Sequence, residues 1–223
     1  MTSLQDQLIN PVWLALAEKQ NDFAVARHSH LRYQPDVLPF AAVSEAGTVV
    51  EINSELDAGP LFFCDVLPKL VGDHFVESRF RVAQMVYRGD LLAEAPHEHE
   101  VELTLSDAEE MLELTSVAFP EFFRIHSVKL GRFVGIKQDG QLVAMAGERF
   151  RLPGLREISA VCTRPGSTGK GFAGHLMKRL LGASAELPFL HVSESNSHAI
   201  ALYQRLDFEH VRTIDVMKVS RKS

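Results

Sequence analysis

The sequence predicts a mixed α/β (α+β) protein: a mixed β-sheet flanked by helices. Three observations carry this. Residues 132–137 and 141–148 read as two strands joined by Gln138-Asp139-Gly140, and an Asp-Gly pair tolerates the positive φ angles of a tight hairpin. Residues 155–219 then alternate strand, helix, strand, helix, strand, the order expected of a layered α/β sheet. The stretch before residue 98 is rich in short apolar runs bounded by Pro and Gly, the texture of strands and turns.

The 223 residues are 46% hydrophobic and 23% charged, an ordinary globular composition and enough chain to bury a sizeable core. The net charge of −6 and a pI near 5.9 argue against a nucleic-acid binder, which presents a basic face. Cys64 and Cys162 stand far apart, with no pairing or metal-ligand spacing, and are expected to be buried thiols. The start, MTSLQDQLINPVW, lacks the basic and apolar segments of a signal peptide, and no apolar run reaches membrane-spanning length. The expected location is cytoplasmic, with no membrane and no metal.

In chain order, residues 9–27 read as a helix opened by Asn10 and Pro11, with Trp13, Leu14, Leu16 and Ala17 on its apolar face. Residues 38–43 and 48–52 read as strands between Pro35, Pro39, Gly47 and Asn53, and residues 60–71 as an apolar run interrupted by Pro68. Residues 79–87 form a further strand with Phe80, Val82 and Gln84 on one face. Residues 91–100, with Pro96, are the best linker. The expected division is an N-terminal α/β region, 1–97, and a second domain, 98–223. The second opens with a strand at 101–105, a helix at 106–118 with acidic residues in its first turn, and another helix at 120–127. The hairpin follows, then a strand at 155–163, a helix at 169–181, a strand at 189–193, a helix at 195–206 and a last strand at 208–219.

The chemistry concentrates in two segments. Glu157-Ile158-Ser159-Ala160-Val161-Cys162-Thr163 is a strand. Simple alternation places Ile158, Ala160 and Cys162 on one face and Glu157, Ser159, Val161 and Thr163 on the other. Gly166-Ser167-Thr168-Gly169-Lys170-Gly171 follows and leads into a helix with Phe172, Ala173, Leu176, Met177, Leu180 and Leu181 on one face. Small residues admit a ligand to the backbone, and the helix start offers free amides and a positive dipole end, an anion site. Arg164 and Lys170 flank it. The loop is not a Walker A sequence, because no Ser or Thr follows Gly169-Lys170, and it lacks the partners of a dinucleotide fingerprint. In the second segment Asn196, Ala199, Ile200 and Tyr203 share one helical face, so an amide and a phenol look into one cleft.

Together these segments resemble the GNAT superfamily of acetyltransferases. Thr168-Gly169-Lys170-Gly171-Phe172-Ala173 is similar to its pyrophosphate loop, and Asn196 through Phe208 to its second signature; the resemblance covers residues 101–219. It implies a splayed sheet with the pantetheine arm of acetyl-CoA between the strands at 157–163 and 189–193. It implies contacts from Val161, Cys162 and Thr163 to that arm, pyrophosphate on the amides of Gly169, Lys170, Gly171, Phe172 and Ala173, Asn196 and Ala199 beside the arm, and Tyr203 near the cofactor sulfur. Some members of that superfamily carry a second, degenerate copy of the fold, and the length and strand-rich texture of the N-terminal region make such a copy, covering the acceptor side of the cleft, the expectation for it. Two positions depart from the pattern: Thr168 replaces Arg or Gln, and Asp207 replaces Gly, although Asp enters the left-handed region at modest cost.

The expected activity is direct acyl transfer from acyl-CoA, with acetyl the default, to a primary amine. Tyr203 is the expected proton donor to the thiolate, and Glu157 the candidate general base, because alternation sets it on the face of Val161. A water chain is the other candidate for the base. The alternative reading is a non-catalytic acyl-CoA sensor on the same fold, suggested by Thr168; a dinucleotide-binding module is a third. His97-Glu98-His99-Glu100 lacks helical zinc spacing and reads as a solvated linker. His191 reads as a sheet histidine, Glu148 and Arg149 as residues at the hairpin end, and His126 as part of the entry region.

Overall fold

The computed structural model describes residues 4–52, 56, 59–72, 75–90, 94–118 and 121–222. Asn53, Pro120 and part of the linker at 91–93 lie outside them. Two short helical segments open the chain, α1 (Leu4–Gln7) and α2 (Pro11–Leu14), the second running on as a wider turn over Ala15–Lys19. The helix predicted for residues 9–27 therefore stops early. Gln20 leaves helical geometry because its side chain is used elsewhere: Tyr33 Oη donates to Gln20 Oε1 (2.6 Å), and Gln20 Nε2 donates to the carbonyl of Arg149 (2.8 Å).

Among the described residues, one sheet runs through both halves of the chain. Its strands are β1 (Ala24–Ala26), β2 (Leu31–Tyr33), β3 (Phe40–Ala42), β5 (Leu61–Cys64), β7 (Phe75–Tyr87), β8 (Glu100–Leu103), β9 (Phe133–Gln138), β10 (Gln141–Leu152), β11 (Leu155–Thr163), β12 (Leu187–Ser193) and β13 (Phe208–Arg221). A separate parallel pair joins β4 (Val49–Glu51) to β6 (Lys69–Val71). The spatial order is β1-β2-β3-β5-β13-β7-β12-β11-β10-β9-β8. The long strands β7 and β13 pair antiparallel at its centre, from Phe208↔Tyr87 to Arg221↔Phe75. Each also crosses into the other half: β7 pairs with β12, and β13 with β5. Beyond them β3 runs parallel to β5, as β11 runs parallel to β12. The central strands thus read alike from either side of the β7–β13 pair.

The helices α3 (Ala108–Ala118), α4 (Phe172–Leu181) and α5 (Ser197–Arg205) cover the C-terminal half of the sheet. The apolar stripe of α4 packs as its period predicts, burying Phe172, Leu176, Met177, Leu180 and Leu181 against Ala144, Ile158, Leu190 and Tyr203. Asp139 and Gly140 take φ of 49° and 77°, the primed turn of a two-residue hairpin. Asp207, at φ 61°, follows the last turn of α5. The predicted second helix near residue 120 is absent from 121 onward. Glu121 sits at φ 87°, Ser127 Oγ accepts from Arg124 N and donates to the Val37 carbonyl, and only a short 3₁₀ turn forms at Ser127–Leu130. No helix among the described residues is long and apolar enough to cross a membrane.

The end of the stretch expected to be a linker is docked on α4. Glu100, its side chain 5% exposed, accepts from Arg179 Nε (2.7 Å) and pairs with His175 Nε2 (2.9 Å) on α4, and the His97 ring stands edge-on to Phe172. The polar run reads as solvated from sequence alone because its partners lie some 75 residues away on α4.

Candidate active site

The site opens where β11 and β12 part. Their parallel register runs Leu155↔Leu187, Arg156↔Pro188, Glu157↔Phe189 and stops. Past Glu157 the edge of β11 facing β12 has no strand partner, so its amides and carbonyls are open to a ligand. The cause is visible at Ala160, a non-glycine residue at φ 54°. Here β11 gains a residue relative to β10, the register stepping from Met145↔Cys162 to Gly147↔Ser159. Such a bulge bends its strand and re-aims its side chains. It overturns simple alternation: Val161 joins Ile158 against α4 and α5, whereas Ala160 and Cys162 pack toward α3. Glu157 therefore does not share the face of Val161.

The cleft widens into a cavity of about 260 Å³. Ser159, Ala160 and Val161 line it from β11, His191, Val192 and Ser193 from β12, and Asn196 and Tyr203 from α5. The N-terminal half closes the far side with Phe40, Cys64, Phe80 and Val82. Phe80 and Val82 share a face of β7, as their spacing predicts, and Gln84 continues it.

At one end of the cleft lies the glycine-rich turn. Gly166, Gly169 and Gly171 take φ of 89°, 79° and 81°, in the left-handed region that favours glycine, and an added Cβ at any of them meets open space. Gly171 caps α4, whose first internal bond runs from His175 N to Gly171 O. The amides of Gly171, Phe172, Ala173 and Gly174 thus have no partner within the helix, and they sit at its positive end. Thr168, Gly169, Lys170 and Gly171 are exposed. Lys170 Nζ reaches Gln138 Oε1 (3.1 Å), and Arg164 is drawn to Glu113 (3.1 Å). Thr163 is half-buried opposite Ala144. A donor set of convergent amides at a helix start, with an unpaired strand edge beside it, fits a pyrophosphate followed by an amide-bearing arm.

Asn196 caps α5, its Oδ1 accepting from Ala199 N (3.1 Å). Ala199 is half-buried and Tyr203 is 8% exposed. Burial, with a smaller push from Cys162, raises the Tyr203 phenol to about 12, so it keeps its proton at neutral pH. Burial also pushes the Cys162 thiol up to about 12, as expected of an inert packing residue.

Below the cavity runs a polar chain that the sequence does not display as a motif. Arg149 donates to Glu157 through Nε (2.8 Å) and Nη2 (2.6 Å). The same carboxylate meets His191 Nδ1 at 2.8 Å. Gln84 Nε2 lies 3.0 Å from His191 Nε2 and donates to the Leu8 carbonyl at 3.1 Å. Burial works to raise the Glu157 carboxyl, but the Arg149 guanidinium and then His191 outweigh it and hold it at about 2. The four residues come from β7, β10, β11 and β12. The one signal in the sequence was Gln84 on an otherwise apolar strand face. Among the described residues, no cluster of three or more His, Cys, Asp or Glu is arranged to hold a metal.

With this geometry in place, comparison with known proteins is informative. A protein assigned to the GNAT acetyltransferase family from Novosphingobium aromaticivorans has 31% sequence identity, 97% of this chain and 99% of that one being covered, with a TM-score of 0.84. The chain belongs to the GNAT acetyltransferase family. Residues 133–216 match the family model described as FR47-like protein. A Drosophila protein at 12% identity shares the fold over 100% of this chain and 92% of its own (TM-score 0.65). A GCN5-related N-acetyltransferase from Kribbella flavida at 16% identity shares it over 95% and 96% (TM-score 0.57). No curated protein matches the chain. The GNAT fold expected from the two signature segments is the fold observed, a large mixed sheet flanked by helices.

Proposed function

We propose that the protein is an acyl-CoA-dependent N-acyltransferase that moves an acyl group, acetyl by default, directly from the thioester to a primary amine. The observation that carries this reading is the opening of β11 from β12 at the Ala160 bulge, directly before the amide-rich start of α4. When bound, acyl-CoA supplies the activated acyl group. The amides from Gly169 to Ala173 hold its pyrophosphate, with Thr168 at the loop's edge. The free edge of β11 at Val161, Cys162 and Thr163 takes the pantetheine amides, and Asn196 and Ala199 flank them.

The Tyr203 phenol, protonated and lining the cavity, donates its proton to the departing sulfur as the new carbon–nitrogen bond forms and the carbon–sulfur bond breaks. A strand amide beside the bulge polarises the thioester carbonyl. Glu157, held at about 2 by its ion pair, is a weak base. We therefore read it as a positioning residue that fixes Arg149 and His191, and the amine's proton leaves through water. The N-terminal region, on this reading, is a degenerate second copy that lacks the glycine loop and serves as the acceptor-side wall.

Thiol release from acetyl-CoA in the presence of a panel of primary amines, with mass-spectrometric identification of the product, tests the proposal. Amine-dependent release with an N-acetyl product is expected. Tight acetyl-CoA binding without turnover of any amine would favour the sensor reading instead.

A further inference from the structure

We propose that the acceptor is a small apolar or aromatic amine that also carries a carboxylate, of the kind found in an aliphatic or aromatic α-amino acid, with Arg149 as the carboxylate's partner. This rests on the acyl-transfer reading and names its substrate class.

Size comes first. The cavity holds about 260 Å³, just under the roughly 300–1,000 Å³ of sites for drug-sized ligands, and the acyl end of the donor takes part of it. The lining comes second. Phe40, Phe80, Val82, Phe122, Ile214 and Val216 make most of the wall away from the splayed strands, a surface that gains from desolvating an apolar body.

Charge is the third and deciding point. Among the described residues no Asp or Glu lines the cavity, so a polyamine or a lysine-like dication finds no counter-charge among them. Among the described residues the one permanent charge on the wall is Arg149, and its carboxylate partner Glu157 lies fully buried behind it. Stacked near Phe40 (4.9 Å to the ring centre) and Phe150 (4.5 Å), the guanidinium is fixed in orientation before any ligand arrives. Its Nε and Nη2 are taken by Glu157. Among the described residues Nη1 has no hydrogen-bond partner. A guanidinium presents five donors in a rigid fork, and an unfilled donor edge on an apolar wall is satisfied by an anionic oxygen. Glu157 balances the guanidinium's charge, and the acceptor's carboxylate fills the donor edge that Glu157 leaves open.

The test uses the full chain with acetyl-CoA. L-phenylalanine and L-leucine are compared with their decarboxylated counterparts, phenethylamine and isoamylamine, and with spermidine. The expected result is a kcat/KM for each amino acid about tenfold to a hundredfold above that of its decarboxylated partner, the range for a hydrogen bond to a charged group. Spermidine is expected not to turn over. Because removing Arg149 alone leaves the buried Glu157 without its guanidinium, the variant is the pair Arg149→Met with Glu157→Gln. It should bring the ratio of amino acid to amine close to one, with the change carried mainly in KM. Equal turnover of amines with and without the carboxylate, or preferred turnover of spermidine, overturns the inference and leaves acyl transfer standing. So does acetyl-CoA binding with no acylation of either amino acid. Failure to bind acetyl-CoA at all overturns the acyl-transfer reading itself.

Discussion

Replacing Glu157 by Gln strips the counter-charge from a guanidinium that the fold has taken out of water. The Glu157 side chain is 1% exposed and that of Arg149 16%, joined by contacts of 2.6 and 2.8 Å. The carboxyl stands at about 2, against an ordinary 4.5. At about 1.4 kcal/mol per pKa unit, that difference corresponds to about 3 kcal/mol of folding free energy. The folded value lies below the unfolded one. The contribution is therefore complete above pH 4.5 and is lost as pH falls from there toward 2. Breaking a buried pair from one side costs about 3–5 kcal/mol, so both routes agree in size. Glu157→Gln should lose about 3 kcal/mol at pH 7, with the gap from the parent protein closing below pH 4.5. The double variant with Arg149→Met leaves no charge uncompensated and should lose less than the two single losses added together. Urea unfolding followed by the emission of Trp13, which is the only tryptophan and packs on the N-terminal core, measures all of these. A single variant within about 0.5 kcal/mol of the parent at pH 7, or a double variant equal to the sum of the singles, would refute the argument.

Further outcomes follow from the same geometry. Tyr203→Phe removes the proposed proton donor without altering the glycine-rich turn, and should lower kcat about a hundredfold or more while acetyl-CoA affinity holds. Because burial keeps the phenol at about 12 and Glu157 sits at about 2, the parent's pH–rate profile between 5 and 10 should report the acceptor amine and neither of these groups. Gly171→Ala forces a side chain into φ 81°, which costs about 1–2 kcal/mol and should appear in thermal unfolding as a lower midpoint. Glu100→Gln weakens the tie from the linker end to Arg179 and His175. It should cost about 1–3 kcal/mol, the range for a buried charged hydrogen bond, and increase protease cleavage between residues 90 and 100.

What was legible in the sequence was whatever short-range chemistry decides. Asp139-Gly140 specified its own turn. The apolar spacing of residues 172–181 specified the buried face of α4. Asp207 took the left-handed angle where the helix had to end. Features set by distant partners were hidden. Gln20 breaks the first helix because Tyr33 and Arg149 use its side chain. Alanine at 160 carries no local sign of a positive φ, so the bulge, and with it the face on which Val161 lies, could not be read. Placing β7 between β12 and β13 requires pairings across more than a hundred residues, so the aromatic wall built from the N-terminal half was invisible as a wall. The chain of Gln84, His191, Glu157 and Arg149 exists only after four strands are set side by side.

The central claim is that the opening between β11 and β12, with the amide turn at α4, is an acyl-CoA site. Calorimetric titration of acetyl-CoA into the parent protein and into Gly171→Glu and Tyr203→Phe variants tests it most directly. The account predicts saturable one-site binding that is lost in Gly171→Glu, where a carboxylate enters the phosphate turn, and kept in Tyr203→Phe. No binding of acetyl-CoA or free CoA to the parent protein, or equal binding to the Gly171→Glu variant, would contradict it.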